Sequence, residues 1–381
     1  MNKIKILIFI DWFEPGFKAG GPIRSISNFV SNFHKELDIF IITSDRDLGD
    51  TSSYVNIELN TWIKTNLFSI FYSTPNYLNF KTINKWIKDL MPKWIYLNSM
   101  YSYRFSILPM LVTISSSNKI NILLAPRGML KPSAMEYKKT KKTVYLSLFR
   151  LFGFYKKLTF QATSEYESRD IRMLFGANCK IVTLCNLSGV QTAFVPIRDK
   201  ISKSIKVLYI GRIHPIKNLN FVLKTLNEVS SSVSLTVIGE SLNDSYWLEC
   251  SDIISKLRSD FKVTYIDKVP HSKIESVIHE HHLFFLPSKG ENFGHSILES
   301  LSAGRPVLIS DQTPWIDLTG DKAGWDLKLK DFYGFKQVIE EVSLMNNDLI
   351  NIWASGAWRL ASDVKNNSEC IDEYMKLFEG E

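Results

Sequence analysis

The segment Pro287-Ser288-Lys289-Gly290-Glu291-Asn292-Phe293-Gly294-His295-Ser296 follows an apolar run, Leu283–Pro287, and leads into a helical stretch carrying Leu298, Glu299, Ala303 and Gly304. A strand, a glycine-bearing loop and a helix start present main-chain N–H groups to phosphate or sugar oxygens, and the helix dipole favours the anion there. Glu291 and Glu299 stand eight positions apart, about 12 Å if both were helical. That spacing suits two separate hydroxyl-rich parts of one ligand better than a carboxylate dyad. A second cluster, Gly211-Arg212-Ile213-His214-Pro215-Ile216-Lys217-Asn218, stands directly after the apolar run Lys206–Ile210. Gly211 permits close main-chain approach to a ligand, and Arg212 and Lys217 set two cations beside a helix start, an arrangement fit for a diphosphate. Taken singly, either glutamate or the basic pair also reads as an ordinary solvated helix residue; together in one half of the chain they make a rarer combination.

Loops of this kind need rigid elements beneath them. Short apolar runs alternate with amphipathic stretches, which argues parallel sheets with crossover helices. In the first half the runs are Lys5–Asp11, Asp38–Ser44, Leu67–Ser73, Trp94–Ser99, Ile120–Ala125, Leu158–Ala162 and Lys180–Cys185; in the second they are Lys206–Ile210, Ser234–Gly239, Lys262–Val269, Leu283–Pro287 and Pro306–Ser310. A chain of 381 residues exceeds what one hydrophobic core usually supports, so two α/β domains are expected. The stretch Ser188–Ser204 reads as the linker. Residues 1–195 then form the first domain and 196–365 the second, with a C-terminal helix over 366–381 returning to the first and Asn366-Asn367-Ser368 as the break before it.

Net charge is +7, and much of it is local. Lys131, Lys138, Lys139, Lys141, Lys142, Arg150, Lys156 and Lys157 stand against the single acid Glu136. With an aromatic middle between basic ends, this stretch suits a helix lying on anionic lipid, and equally a core helix with a solvated basic end; no nucleic-acid motif accompanies it, so nucleic acid is not an expected partner. Cys179, Cys185, Cys250 and Cys370 have no paired spacing and read as core thiols of a reducing, cytoplasmic compartment. No apolar run approaches the roughly 18–20 residues of a membrane span, so membrane contact would be peripheral, at the inner face. Asp45-Arg46-Asp47 could in principle hold a metal-bound diphosphate, but reads as a solvated loop. His279, His281 and His282 lack a complete ligand set, and no metal is expected.

Gly-Arg-x4-Lys-Asn, followed about 70 residues later by Glu-Asn-Phe-Gly-x3-Leu-Glu-Ser-x2-Ala-Gly-x-Pro-Val, resembles the donor-binding half of the family-4 retaining glycosyltransferases. Gly20-Gly21 after the first strand resembles the glycine pair of that family's N-terminal loop. Asp311-Gln312-Thr313-Pro314-Trp315 with Gly324-Trp325 resembles a stretch of its bacterial surface-polysaccharide enzymes. The resemblance implies the GT-B fold, an α/β architecture of two Rossmann-like domains with parallel sheets facing across a cleft. It also implies transfer of a sugar from a UDP-sugar or GDP-sugar donor, with no cofactor and no metal, to a glycan or polyprenyl-diphosphate-linked glycan acceptor. Arg212 and Lys217 would hold the donor diphosphate, Glu291 the hydroxyls of the transferred sugar and Glu299 the ribose. Asn292, Phe293, Gly294 and Leu298 would line the donor, Gly211, Gly20 and Gly21 would bring main chain to the phosphates, and the base would lie near Val269.

The pattern departs from the family in places. Where many members carry a histidine, the loop after Ile120–Ala125 reads Pro126-Arg127-Gly128-Met129-Leu130. Arg127 cannot act as a base at neutral pH; it could orient a donor phosphate or an acidic acceptor group, or serve as a structural arginine. The usual Pro-Asn-Gly-Val turn is altered to Cys185-Asn186-Leu187-Ser188-Gly189-Val190, and the role of Glu165 and Glu167 stays open. A catalytically silent subunit of the same fold and a nucleotide-sugar epimerase are the alternatives to a transferase.

Overall fold

The computed structural model describes residues 3–116, 119–136, 139–187, 189, 191–241, 244–365 and 368–380. They fall into two compact units, residues 1–189 with 367–381 and residues 190–366. The division lies earlier than the expected 195/196 boundary for a physical reason. Phe194 packs on Trp358, and Ile197 exchanges main-chain hydrogen bonds with the Asn351 side chain, so the end of the expected linker is already fixed to the second unit. The expected break at Asn366-Asn367 lies outside the described residues.

Among the described residues the first unit holds eight strands: β1 Ile4–Phe9, β2 Leu37–Ser44, β3 Trp62–Lys64, β4 Ser69–Ser73, β5 Trp94–Leu97, β6 Asn121–Leu124, β7 Thr159–Ala162 and β8 Lys180–Thr183. Their order is β3-β4-β2-β1-β5-β6-β7-β8. The second unit holds β9 Ser204–Ile210, β10 Ser232–Ile238, β11 Phe261–Ile266, β12 Leu283–Leu286, β13 Val307–Ser310 and β14 Gly324–Leu327, in the order β11-β10-β9-β12-β13-β14. Every pairing is parallel except β3 with β4. Central strands such as β5 (WIYL) and β12 (LFFL) are buried along their whole length, as strands covered by helices on both faces must be. The twelve apolar runs all become strands. The pattern misses β3, a three-residue antiparallel edge with no fully buried position, and β14, whose Gly-Trp-Asp-Leu is too short and polar to read as an apolar run.

In each sheet the strand order reverses once, between β1 and β5 in the first and between β9 and β12 in the second. Connections leave in opposite directions at such a point and open a crevice at the carboxyl ends of the strands, the usual place for a ligand.

The helix Ser368–Glu379 belongs to the first unit. Trp94 Nε1 donates to the Phe378 carbonyl at 3.1 Å, and Tyr374 and Phe378 pack against Phe29. Cys185 and Cys370 are joined as a disulfide, their Cα atoms 6.0 Å apart, while Cys179 and Cys250 are free and buried. This corrects the expectation of four thiols. A pair separated by 185 positions has no signature in local spacing, and only the return of the last helix brings it within bridging range.

Candidate functional site

Two loops leave the second sheet side by side at its switch point, residues 211–218 after β9 and residues 287–294 after β12. Main chain and side chains tie them together. Lys289 N donates to the Ile216 carbonyl at 2.7 Å, Ser288 Oγ donates to the same oxygen at 3.2 Å, and Asn218 Nδ2 donates to the Pro287 carbonyl at 3.1 Å. Behind them, Glu291 N is anchored to the Gln312 carbonyl, and Trp315 Nε1 donates to the Phe293 carbonyl at 2.6 Å. The Asp311–Trp315 stretch thus serves as the outer wall of the loop.

Across this joint Lys217 Nζ lies 2.5 Å from Glu291 Oε1, with both side chains largely buried. Arg212 is exposed, and among the described residues its guanidinium has no carboxylate partner. Its charge is felt nevertheless: burial, then the charges of Arg212 and Lys217, push His214 below the usual imidazole range. Gly211 is less constrained than expected, since a Cβ there would meet the Lys217 stem at an ordinary 3.6 Å. The strict requirement falls on Gly239, after β10. Its φ is +151° and an added Cβ would sit 2.0 Å from the Gly211 carbonyl oxygen, so no larger residue lets the two loops meet.

The helix His295–Ser302 begins at Gly294, which is left-handed (φ 81°, ψ 61°) and offers no side-chain cap. A Cβ there would press on Ile297 at 2.7 Å. One turn further on, Leu298 is buried and Glu299 meets His271 Nε2 at 3.0 Å. His271 starts the helix that follows Val269 and Pro270, so it links Glu299 to the segment expected near the base. Sequence reasoning missed His271, and its neighbours gave no signal, because the contact spans 28 positions. The second unit therefore gathers Gly211, Lys217, Glu291, Asn292, Phe293 and Gly294 on one pair of loops, and joins Glu299 to the Val269 segment through His271.

The remaining expected residues lie in the first unit. Gly20, left-handed at φ 65°, precedes the helix Gly21–Phe33, whose N-terminus also lacks a side-chain cap. Asp45 and Asp47 are buried rather than solvated. Arg46 and Ser53 hold Asp45, while Asp47 accepts from Phe17 N and Lys18 N and so fixes the approach to the glycine pair. Burial raises Asp45, but the Arg46 and Ser53 bonds outweigh it and leave the carboxyl below its usual range. The structure also assigns an internal task to Glu167, which accepts from Gly128 N, Thr163 N and Thr163 Oγ1.

Arg127 follows β6 and is itself left-handed at φ 54°. Its NH2 donates to Tyr96 Oη at 2.7 Å and to Asn98 Oδ1 at 2.9 Å, and its NH1 donates to Asn186 Oδ1 at 3.1 Å. A buried relay continues from it: Tyr96 Oη donates to Gln161 Oε1, Gln161 Nε2 to Tyr374 Oη, and Tyr374 Oη to the Cys185 carbonyl.

His281 and His282 are buried and tied to Thr236, to Lys206 N and to Asp199, and among the described residues no cluster suits a metal ion.

Residues 191–331 match the family described as Glycosyl transferases group 1. An uncharacterized 41.2 kDa protein in the cps region of Klebsiella pneumoniae is 21% identical over 265 residues, covering 64% of this chain and 67% of that one. Glycogen synthase of Mycobacterium tuberculosis is 25% identical over 147 residues, only 37% of this chain and 34% of the synthase. Among solved structures, Anabaena Alr3699/HepE in complex with UDP and glucose superposes with a TM-score of 0.71 at 14% identity, over 99% of this chain and 100% of that one. WaaG, a glycosyltransferase involved in lipopolysaccharide biosynthesis, does so with a TM-score of 0.65 at 12% identity, over 99% and 100%. These likenesses identify the fold as GT-B.

Proposed function

We infer, from a C-terminal region that belongs to the glycosyl transferases group 1, that the chain is a retaining transferase of a sugar from a nucleoside-diphosphate sugar to a glycan or lipid-linked glycan, in the making of a bacterial surface polysaccharide. The observation that carries this reading is the Lys217–Glu291 pair at the switch point of the second sheet. It puts a cation for a diphosphate and a carboxylate for sugar hydroxyls in hydrogen-bond contact before any ligand arrives. HepE, whose structure is in complex with UDP and glucose, supports a uridine carrier. The Klebsiella relative's place in a cps region and WaaG's part in lipopolysaccharide biosynthesis support the polysaccharide context.

In the proposed reaction the bond from the sugar C1 to the diphosphate oxygen breaks and a bond from C1 to the acceptor oxygen forms on the same face. The departing phosphate oxygen takes the acceptor proton, so no protein nucleophile is needed. Arg212 and Lys217 stabilise the charge that develops on the leaving diphosphate, a role that would otherwise fall to a metal. Glu291 accepts from hydroxyls of the transferred sugar, Glu299 from the ribose, with His271 holding the latter carboxylate in place. Gly20 and Gly21 supply main-chain N–H groups to the phosphates.

The basic segment favours a membrane-surface site of action. On the helix Lys139–Leu151, Val144, Leu148 and Leu151 are exposed at helical spacing, Phe152 continues the stripe, and Lys139, Lys141, Arg150, Lys156 and Lys157 are exposed around it. Lys142 turns inward instead, donating to the Ala134 carbonyl and lying over the Tyr101 ring; Lys138 lies outside the described residues. An apolar stripe flanked by cations is what an anionic bilayer surface binds.

The test is a panel of labelled nucleotide sugars supplied with membrane extract. Turnover of one donor with retention at C1 is expected; UDP or GDP binding without turnover would favour a silent subunit. Co-sedimentation with anionic vesicles should be lost when Val144, Leu148 and Leu151 are replaced by Ser.

A further inference from the structure

The relay behind Arg127 leaves one side of that residue unanswered. Its cation meets only neutral acceptors, Tyr96 Oη, Asn98 Oδ1 and Asn186 Oδ1, and no carboxylate lies within ion-pair distance among the described residues. Among the described residues, three buried donors around it have no partner: Arg127 Nε, Asn98 Nδ2 and Asn186 Nδ2. Asn98 and Asn186 are 3% and 7% exposed, whereas Arg127 is partly open. An unpaired buried donor and an uncompensated cation are each costly, and a fold that keeps all of them at one point keeps them for an acceptor. Because both asparagine oxygens already accept from the guanidinium, their amide nitrogens cannot be exchanged for acceptors without breaking those bonds.

Topology says the same independently. Asn98 follows β5, one of the two strands at the switch point of the first sheet, while Arg127 follows β6 and Asn186 lies beyond the end of β8. All three sit past the carboxyl ends of their strands, where parallel sheets receive ligands. Glu167 fixes the loop by accepting from Gly128 N, and the Tyr96-Gln161-Tyr374 relay orients the fork from behind.

We propose that Asn98, Arg127 and Asn186 form an oxyanion site of the N-terminal unit, built for a carboxylate or phosphate group. The guanidinium supplies charge and the two amides supply additional N–H donors. Read with the transferase proposal, on which this second step alone rests, the oxyanion belongs to the acceptor, which is then an acidic sugar, a uronate or a sugar phosphate.

The test is calorimetric titration of the full chain with D-glucuronate and with inorganic phosphate, in an Arg212→Ala/Lys217→Ala background so that the candidate donor loops contribute nothing. Binding of at least one of the two is expected, and which one separates a carboxylate from a phosphate ligand. Asn98→Asp should weaken it by about tenfold or more, because the new carboxylate becomes an internal counter-ion at the position now 2.9 Å from the guanidinium. The same change should raise Tm, so lost binding would not reflect unfolding; if it fails to fold, Arg127→Gln provides the second variant. No binding of either anion, or binding unchanged in a folded variant, would overturn the site. UDP titration of the Asn98→Asp chain with Arg212 and Lys217 intact keeps the two proposals separate, since donor binding should survive there whatever the fate of the anion.

Discussion

Lys217 and Arg127 are both cations at the carboxyl edge of a parallel sheet, yet their surroundings are opposite. Lys217 has a carboxylate at 2.5 Å and sits in a charge-balanced joint between two loops. Among the described residues Arg127 has only hydroxyl and amide oxygens, and its charge is left over. A balanced pair can be held largely buried because each ion offsets part of the other's desolvation penalty, and it can open when a ligand offers the cation a better anion and the carboxylate better donors. An unbalanced cation whose own Nε and flanking amides also lack acceptors among the described residues is open to an external anion. Arg305 gives the reference for a purely structural cation. It is 2% exposed, each of its three nitrogens donates to main chain, namely the carbonyls of Val195, His279, His281, Ala303 and Gly304, and burial lowers it to about 10.

The contrast breaks most readily on turnover. Lys217→Ala and Glu291→Gln should each lower the rate of sugar transfer by about a hundredfold or more, the usual loss when a group that stabilises developing charge is removed; steady-state assays that find either variant fully active would remove the pair from the mechanism.

A pH titration of stability probes how the second unit handles buried charge away from its loops. Burial, only partly opposed by Asp199, brings His282 down to about 4. The unfolded chain takes up that proton first, so stability should fall as pH drops from about 6.5 towards 4, by up to about 3 kcal/mol. Replacing His282 by Asn should flatten the chemical-denaturation profile over that window.

Methionine substitution then compares the two cations directly. Lys217→Met strands the Glu291 carboxylate, whose side chain is 9% exposed, and should cost about 2 kcal/mol. Arg127→Met strands no charge but takes the donor from three neutral acceptors, Tyr96 Oη, Asn98 Oδ1 and Asn186 Oδ1, at about 1–3 kcal/mol for each left unsatisfied, offset in part by removal of the uncompensated cation. Denaturant titrations measure both losses.

The smallest expected effect is on ionic strength. Phosphate or glucuronate binding at Arg127 should weaken only modestly between low and physiological salt, since the donors are buried and screening acts mainly on exposed charges.

The two donor loops were legible as residues before any coordinates, because their chemistry is written in short segments: Gly-Arg-x4-Lys-Asn after one apolar run and Glu-Asn-Phe-Gly before one helix. Twelve strands were legible for a similar reason, since a strand covered on both faces must be an uninterrupted apolar run. Hidden from such reading were features joined by long-range contacts. His271 reaches Glu299 across 28 positions, and Asn28 donates to the Leu187 carbonyl across 159. Asp45 and Asp47 read as a solvated pair because nothing in their neighbours announces that the main chain of Phe17 and Lys18 will arrive to use them.

Sequence by itself therefore determined the two-sheet architecture and the identity of the residues on the donor loops, since apolar periodicity and short-range spacing are local quantities. Tertiary structure alone decided that Lys217 would be neutralised by Glu291, that Cys185 would meet Cys370, and that Arg127 would be framed by Asn98 and Asn186 with its charge unspent. Each of those is a contact between strand ends or helices distant along the chain. Its partner is chosen by strand order, which no window of neighbouring residues contains.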